Sequence, residues 1–318
     1  MTEIDINEKD LYEKYPAILD LLLIDNTTKK NIIWATDSYK KHGFKFEDNI
    51  NAYSIVKTNI IMPRAQKAKE EQSKRSKDSA EVFTPSWMCN KQNNLIDESW
   101  FNRKNVFNTE NNKKWASNEN KIEFNEERTW IDYVKDLRLE VSCGEAPYIV
   151  SRYDTVTGKV IEIKDRIGLL DRKLRVVNEN TYTKEDWIKY ALESLKATYG
   201  FEWQGDNLIL ARENVFYTFI DYYKDRFNEE PSEELLKEVA TIISWNIWQM
   251  DGIKCVIPNS CKTERIVNIN LFGEKDVQES GCVGCEKDDV HRHNGVYSKI
   301  MDWTTNKPIK FEKLVKGI

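Results

Sequence analysis

The spacing of apolar residues in the second half of the chain predicts three helices. Residues 183–200, 206–227 and 231–244 carry apolar side chains at helical spacing, so one face of each helix can pack against a core. Thr183 and Pro231 stand where helices commonly begin, at a cap and in a first turn. Short apolar runs predict strands at 137–141, 201–203 and 246–249. The order strand, helix, strand, helix, strand predicts an α/β fold with a layered sheet.

Changes in this pattern divide the chain into three regions. Residues 1–78 combine short apolar segments with a basic stretch, which predicts a mixed, partly helical N-terminal region. Residues 79–254 contain the predicted sheet, and within them 102–128 are rich in Asn, Lys and Glu, which predicts a surface insertion. Residues 255–318 form a small C-terminal segment that holds most of the Cys and His residues.

The composition is ordinary for a soluble protein, with 40% hydrophobic and 32% charged residues. A net charge of -5 gives no general attraction to DNA, so DNA binding would require a local basic face or a partner chain. The sequence has no apolar run of about 18 residues, which argues against a transmembrane helix. The acidic N-terminus lacks the apolar segment of a signal peptide. We therefore expect a cytoplasmic protein whose six cysteines are reduced.

Residues 63–77 form a basic stretch that is predicted to be helical. Such a run of charge is most often a solvated helix face. The functional alternative is contact with DNA phosphates. The candidates for that contact are Arg64, Lys67, Lys74 and Arg75.

Three residues at the predicted strand ends suggest a site for a nucleotide-like cofactor. In open α/β sheets such cofactors bind beyond the carboxyl ends of the strands, where they need a glycine turn, a carboxylate for the ribose and a polar group for the base. Gly144 follows the first predicted strand, Glu202 ends the second, and Asp251 follows the third. Each feature alone is common in α/β proteins, but the ordered set predicts a cofactor site.

The segments around these residues resemble the adenine-N6 DNA methyltransferases of type I and type IIG restriction-modification systems. Residues 80–85 read Ala-Glu-Val-Phe-Thr-Pro and are similar to the Phe/Tyr-Thr-Pro motif that precedes the sheet in that family. Residues 140–144, 199–212 and 246–252 resemble its glycine turn, its ribose-binding strand and its adenine-contacting segment. Longer blocks similar to the methylase subunit M of such systems cover most of residues 18–254. The resemblance implies a Rossmann-like, S-adenosylmethionine-dependent methyltransferase sheet.

The resemblance also implies cofactor roles for individual residues. Thr84 and Pro85 would border the methionine moiety, while Glu202 would bind the ribose and Asp251 the adenine amine. The full set of implied cofactor-binding residues is Phe83, Thr84, Pro85, Glu140, Cys143, Gly144, Glu202 and Asp251. Glu140 stands where the family usually has Asp, and the second glycine of the family's turn is replaced.

One part of the family pattern is missing. The Asn-Pro-Pro-aromatic loop, which holds the flipped target adenine in that family, needs adjacent prolines, and all seven prolines of this sequence are isolated. We therefore expect the chain to supply the S-adenosylmethionine-binding part of a DNA adenine methyltransferase. A second polypeptide would carry the catalytic loop and target recognition. Two alternatives stay open: a catalytically inactive relative that binds a defence complex or DNA, and a generic Rossmann-like domain with another nucleotide ligand.

Cysteines and histidines near the C-terminus suggest a zinc site. Cys282 and Cys285 are separated by two residues, a spacing typical of a zinc knuckle. Two further ligands would come from His291 with His293, or from Cys255 with Cys261. The competing interpretation is a set of thiols without a metal. A redox role is disfavoured because acidic residues follow Cys285 and would not stabilise a thiolate.

Overall fold

The computed structural model describes residues 4, 8–78, 81–82, 84–269 and 275–315, and within them the chain is mixed α/β. The N-terminal region contains α1 (Glu8–Lys14), α2 (Pro16–Leu23), β1 (Ile24–Asp25), β2 (Lys30–Asn31), α3 (Ala52–Thr58) and α4 (Lys69–Asp78). The next segment contains α5 (Ser86–Phe101), β3 (Asn108–Asn111), β4 (Lys114–Ser117) and α6 (Trp130–Lys135).

The predicted sheet region contains β5 (Arg138–Val141), α7 (Leu169–Asn180), α8 (Lys184–Lys196), β6 (Thr198–Glu202), α9 (Gly205–Phe227), α10 (Glu233–Asn246) and β7 (Ile247–Gln249). The C-terminal segment contains β8 (Glu264–Ile269), β9 (Lys275–Ser280), α11 (Val283–Lys287), β10 (Lys299–Asp302) and β11 (Lys307–Lys310). Short 3-10 turns lie at Lys40–His42, Arg64–Gln66, Ile163–Asp165 and Phe311–Leu314.

The central sheet is three-stranded and parallel, in the order β5–β6–β7. Val141 pairs with Phe201, and Phe201 pairs in turn with Trp248. Because the strands are parallel, their carboxyl ends lie at the same end of the sheet. The predicted order of strands and helices is confirmed over this region, which also contains α7, a helix that the sequence pattern did not indicate.

The helices of this region begin near their predicted caps, but one predicted end is wrong. The Thr183 side chain caps α8 by accepting a hydrogen bond from the backbone N–H of Asp186, and Ser232 caps α10 in the same way. The helix predicted over residues 183–200 ends earlier, because α8 stops at Lys196 and Gly200 lies inside β6. A Cβ at position 200 would lie 3.3 Å from Cys143 Sγ, so the glycine lets β6 pack closely beneath the turn after β5.

Helix α9 is buried on nearly every side and forms the centre of the core. Leu208, Phe216 and Phe219 are fully buried in the main apolar cluster. Arg212 is also buried and donates hydrogen bonds to the backbone carbonyls of Leu22, Ile24, Ser244 and Ile247. The hydrogen bonds of this one side chain therefore connect α9 to the end of α2 and to the end of α10. Among the described residues, no helix combines the length and the apolar character that crossing a bilayer requires.

The C-terminal segment covers one face of β6 and β7, but it does not reach β5. Phe201 and Trp248 pack against Phe311, which follows the β10–β11 hairpin. Leu139 and Val141 lie on the same face as Phe201, because Val141 is its direct partner and side chains alternate along a strand. Leu139 is 44% exposed and Val141 is 64% exposed. Within the described residues, no strand pairs with the outer edge of β5.

The N-terminal region packs against the carboxyl end of β7. The side-chain amide of Gln249 accepts a hydrogen bond from the N–H of Ile33 at 2.9 Å and donates one to the carbonyl of Ile33 at 2.8 Å. The N–H of Gly205 donates to the carbonyl of Trp34 at 2.9 Å. A Cβ at position 205 would lie 2.1 Å from the Ile33 carbonyl oxygen, so only glycine permits this contact.

Residues 102–128, predicted to be a surface insertion, are anchored to the core by their few aromatic residues. The segment contains the β3–β4 hairpin, whose side chains are mostly exposed. Phe107 is buried, and the rings of Phe107 and Phe124 pack against Tyr133 of α6. The polar composition describes the surface of the segment, and the aromatic residues fix its position.

Candidate functional site

A cleft of about 1010 Å³ opens at the carboxyl ends of β5 and β6. The turn after β5, the end of β6 and parts of residues 35–84 line it. Its volume lies at the upper end of the range of about 300–1,000 Å³ that is usual for small-molecule and cofactor sites. The cleft therefore has room for a ligand of nucleotide size.

Glu202 lies at the end of β6, lines the cleft and is only 6% exposed. One carboxylate oxygen accepts a hydrogen bond from the backbone N–H of Gly144 at 2.9 Å, and the other accepts from that of Gln204 at 3.0 Å. Burial raises the pKa of the Glu202 carboxyl, and these hydrogen bonds oppose that shift. A carboxylate has about four acceptor sites, so the group can still accept a hydrogen bond from a ligand hydroxyl.

Glu140 near the end of β5 and Cys143 and Gly144 in the turn after it line the same cleft. Glu140 accepts hydrogen bonds from the backbone N–H groups of Tyr148 at 3.4 Å and Ile149 at 3.2 Å, which closes the loop against the strand. Burial raises the pKa of Glu140 well above its usual value. Burial also raises the pKa of the Cys143 thiol well above its usual value, which favours the neutral thiol over the thiolate.

Thr84 of the predicted Phe-Thr-Pro motif lines the cleft near this turn. Its carbonyl accepts a hydrogen bond from the Thr155 hydroxyl at 3.2 Å. Pro85 immediately precedes α5 and is not part of the cleft lining. Phe83 lies outside the described residues, so its implied role stays a prediction.

Asp251 does not line the cleft, although its place in the sequence suggested that it would join Glu202 there. Its carboxylate accepts hydrogen bonds from the backbone N–H groups of Ile253 at 3.0 Å and Lys254 at 3.1 Å, and so caps the turn after β7. The structure brings together Thr84, Glu140, Cys143, Gly144 and Glu202, but it leaves Pro85 and Asp251 outside.

Part of the cleft is formed by N-terminal residues that no sequence motif indicated. Residues 35–38 and Phe46 line it together with Trp203. The indole N–H of Trp203 donates to the carbonyl of Ala35 at 3.0 Å, across 168 positions of the chain. Because this contact depends on the docking of distant segments, no local pattern could have predicted it.

The basic stretch is not a uniformly exposed face, and two of its cations point inward. Lys67 and Arg75 are buried, and both reach Asp206 at the start of α9, at 3.5 Å and 2.8 Å. Arg75 also pairs with Glu81 at 2.7 Å. Although burial alone would raise it, these cations lower the pKa of Asp206 to about 2. Buried ion pairs of this kind withdraw Lys67 and Arg75 from phosphate contact, which corrects the prediction for these two residues.

The other two basic candidates have different surroundings. Lys74 lines the cleft, as does Lys77 on the same helix. The backbone N–H of Arg64 donates to Glu145 at 2.6 Å, and its guanidinium lies 3.4 Å from the Ser76 hydroxyl. Phosphate contact by Arg64 or Lys74 stays a prediction.

Three cysteines and one histidine converge in the C-terminal segment. The possible ligand atoms of Cys261, Cys282, Cys285 and His293 all lie within 4.8 Å of one another. His293 Nδ1 lies 3.7, 3.5 and 3.6 Å from the three Sγ atoms, in that order of cysteines. Tetrahedral zinc, with bonds of about 2.3 Å to sulfur and about 2.0 Å to nitrogen, would set this separation at about 3.6 Å. The cluster can therefore hold a metal ion.

Local structure explains why these four side chains meet. Cys261 precedes β8 and Cys282 follows β9, so the cluster lies at the base of the β8–β9 hairpin. A Cβ at Gly284 would lie 2.6 Å from the backbone nitrogen of His293, so the glycine lets that histidine approach. Burial opposes ionisation of Cys282, but hydrogen bonds led by the one from the Asn294 N–H lower its pKa to about 6.

Two candidate ligands lie outside the cluster. His291 Nδ1 is 3.7 Å from a carboxylate oxygen of Glu312. Cys255 lies in the turn after β7, and burial raises the pKa of its thiol to about 11. The sequence left two pairs open for the remaining ligand positions, and the cluster takes one residue from each, His293 and Cys261.

No protein-family model, curated protein or solved structure matches this chain. The functional assignment therefore depends on the chemistry of the cleft and of the Cys/His cluster.

Proposed function

We propose that the cleft binds S-adenosylmethionine and that the chain is the cofactor-binding part of a DNA adenine-N6 methyltransferase of the restriction-modification type. When bound, this cofactor supplies a methyl group on a positively charged sulfur, which the adenine amine can attack. The observation that carries the proposal is the position of Glu202. It is a buried carboxylate at the carboxyl end of the second parallel strand, beside a glycine turn and within a cleft of nucleotide size.

The charges around the cleft suit a ligand with both cationic and anionic groups. Glu140 and Glu202 are buried carboxyl groups whose hydrogen bonds come from backbone N–H groups. A sulfonium or ammonium group nearby would favour their ionised form. Lys74 and Lys77, which line the same cleft, can meet the ligand's carboxylate.

We propose that the sheet is the first half of a Rossmann-like sheet and that a strand from a partner chain completes it. The outer edge of β5 has no partner strand among the described residues, and Leu139 and Val141 beside it are exposed. A strand added there in parallel would end at the cleft. The Asn-Pro-Pro-aromatic loop, which these 318 residues lack, would then reach the methyl group.

For the Cys/His cluster we propose a structural zinc ion. Four protein ligands leave no open position for a substrate or a catalytic water. The ion would fix Cys261, α11 and His293 to one another and so hold the base of the β8–β9 hairpin.

Calorimetric titration of the purified chain with S-adenosylmethionine tests the cofactor assignment. We expect binding by the wild type and a loss of about tenfold to 100-fold in affinity for Glu202→Gln. The variant loses a charged acceptor, and a hydrogen bond to a charged group contributes about 1.5–3 kcal/mol. The melting temperature of the variant should be measured in parallel, because Glu202 also holds the backbone of Gly144.

Glu193→Gln is the matched control, because Glu193 lies on α8 and pairs with Lys196 outside the cleft. It should bind S-adenosylmethionine like the wild type. If a folded Glu202→Gln protein binds S-adenosylmethionine with unchanged affinity, Glu202 does not bind the ribose. Binding of another nucleotide, without any binding of S-adenosylmethionine, would favour a generic nucleotide-binding domain instead.

A further inference from the structure

The part of the cleft beside Trp203 has a chemistry of its own. Phe46 and Trp203 are half-buried, and their rings lie edge to face with centroids 6.4 Å apart. Asp37 lines the same cleft, and its side chain is 60% exposed. The cleft therefore offers aromatic surface for a planar group and, among its lining side chains, a carboxylate that can accept hydrogen bonds.

Backbone hydrogen bonds hold this part of the cleft in place. The N–H of Ala35 donates to the carbonyl of Phe46 at 2.9 Å, and the carbonyl of Ala35 accepts from the Trp203 indole at 3.0 Å. Ala35 has a φ of 49°, a left-handed conformation that is uncommon for alanine. This turn in the backbone leads directly into Thr36, Asp37 and Ser38, which line the cleft. Backbone strain of this kind tends to cluster at ligand sites.

The end of β7 is not available for contact with a base. The side-chain amide of Gln249 accepts a hydrogen bond from the N–H of Ile33 and donates one to the carbonyl of Ile33. It also donates to the carbonyl of Trp203 at 2.9 Å. The carboxylate of Asp251 accepts hydrogen bonds from its own turn. The N-terminal region therefore lies where the third strand end would otherwise meet the ligand.

We infer that the base of the bound nucleoside lies against Phe46 and Trp203, and that Asp37 accepts a hydrogen bond from its amino group. This inference rests on the proposed function, and it makes the cleft selective for adenosyl over inosyl ligands. Adenine presents an amino donor, whereas hypoxanthine presents a carbonyl oxygen that a carboxylate repels. Lys40 lies 2.9 Å from Asp37, but an exposed ion pair is weak and is readily exchanged for a ligand contact.

Titration of the full chain with S-adenosylhomocysteine and S-inosylhomocysteine tests this inference. We expect the wild type to prefer the adenosyl ligand about tenfold or more, because a mismatched polar group leaves its partner unpaired. Asp37→Asn should weaken adenosyl binding about tenfold and remove the preference. Phe46→Ala should weaken both ligands by a similar factor, because it removes aromatic surface without changing hydrogen bonding.

Asp251→Asn is the matched control, and it should keep the affinity and the preference of the wild type. The inference is overturned if Asp37→Asn keeps the preference, or if Asp251→Asn loses it, while the wild type binds. If Phe46→Ala binds both ligands with the affinity of the wild type, the inferred contact between the base and Phe46 is wrong. A wild type that binds neither ligand contradicts the proposed function itself, and the inference fails with it.

Discussion

Glu213 places a buried carboxyl group at the centre of the core. It lies in the middle of α9, fully buried, and neither of its carboxylate oxygens has a hydrogen-bond partner in the part of the chain that the structure describes. Burial raises the pKa of Glu213 well above its usual value, and the charge of Glu8 adds to the shift. Burial likewise raises the pKa of Glu8 to about 7. Both groups therefore favour their protonated form in the folded protein.

A carboxyl whose pKa is raised by folding stabilises the fold below its unfolded pKa, and this stabilisation is lost as the pH rises through the folded pKa. For Glu8 the window runs from 4.5 to about 7. A shift of that size corresponds to about 3 kcal/mol of unfolding free energy. We expect Glu8→Gln to raise the melting temperature near neutral pH and to flatten the decline of stability across this window, as measured by thermal denaturation.

Glu238→Gln is the control for this prediction, because Glu238 lies on the exposed side of α10. It should leave the pH profile of stability unchanged. A Glu8→Gln protein with the wild-type profile would show that this buried carboxyl group does not set the pH dependence of stability.

At the scale of single elements, α4 and α9 show what a local pattern leaves undecided. The basic composition of α4 predicts one exposed face, yet Arg75 is buried against Asp206 and Lys74 lines the cleft. The apolar spacing of α9 predicted one inward face, yet the helix is buried on nearly every side. Charge and periodicity identify a helix, but the elements packed around it decide which of its side chains meet water.

The Cys/His cluster supports a prediction about the C-terminal elements. We expect protein purified without added zinc to contain about one zinc ion per chain, as measured by elemental analysis. Cys282→Ser and His293→Ala should lose the metal and lower the melting temperature, because binding of a structural metal contributes directly to folding. A chelator should lower the melting temperature of the wild type in the same way.

Cys255→Ser and His291→Ala are the matched controls, because both residues lie near the cluster without belonging to it. Both variants should keep the metal. A zinc content near zero in the wild type would contradict the proposed zinc site. Loss of the metal in His291→Ala would indicate a different set of ligands.

At the scale of the whole molecule, β5 is the most exposed part of the sheet. Parallel strands are normally covered on both faces, since their hydrophobic side chains and edge groups otherwise face water. Here Leu137, Leu139 and Val141 are 72%, 44% and 64% exposed. This surface fits the proposal that a strand from a partner chain completes the sheet.

We expect the double substitution Leu137→Lys and Leu139→Lys to reduce binding of a hydrophobic dye, measured by fluorescence. The affinity for S-adenosylmethionine and the melting temperature should change little, because both side chains are exposed and neither lines the cleft. Ile253→Lys is the control, because Ile253 is 88% exposed but lies in the turn after β7. Equal effects of both changes would show that the β5 edge is not a distinct apolar surface.

The strand and helix order from β5 to β7 and the Cys-x-x-Cys pair could be predicted from sequence, because both depend on residues close together in the chain. The sequence also placed Glu140, Gly144 and Glu202 correctly at the ends of two neighbouring strands. Parallel strands that follow one another bring such ends together without help from distant segments.

Only the tertiary structure decided which residues complete each site. Cys261 and His293 joined the cysteine pair because the β8–β9 hairpin and the approach allowed by Gly284 bring them there. Asp251 was left outside the cleft, and Asp37 was brought into it, because the N-terminal region packs on the end of β7. Contacts between segments so far apart depend on the shape of both surfaces, and no local pattern of residues records that shape.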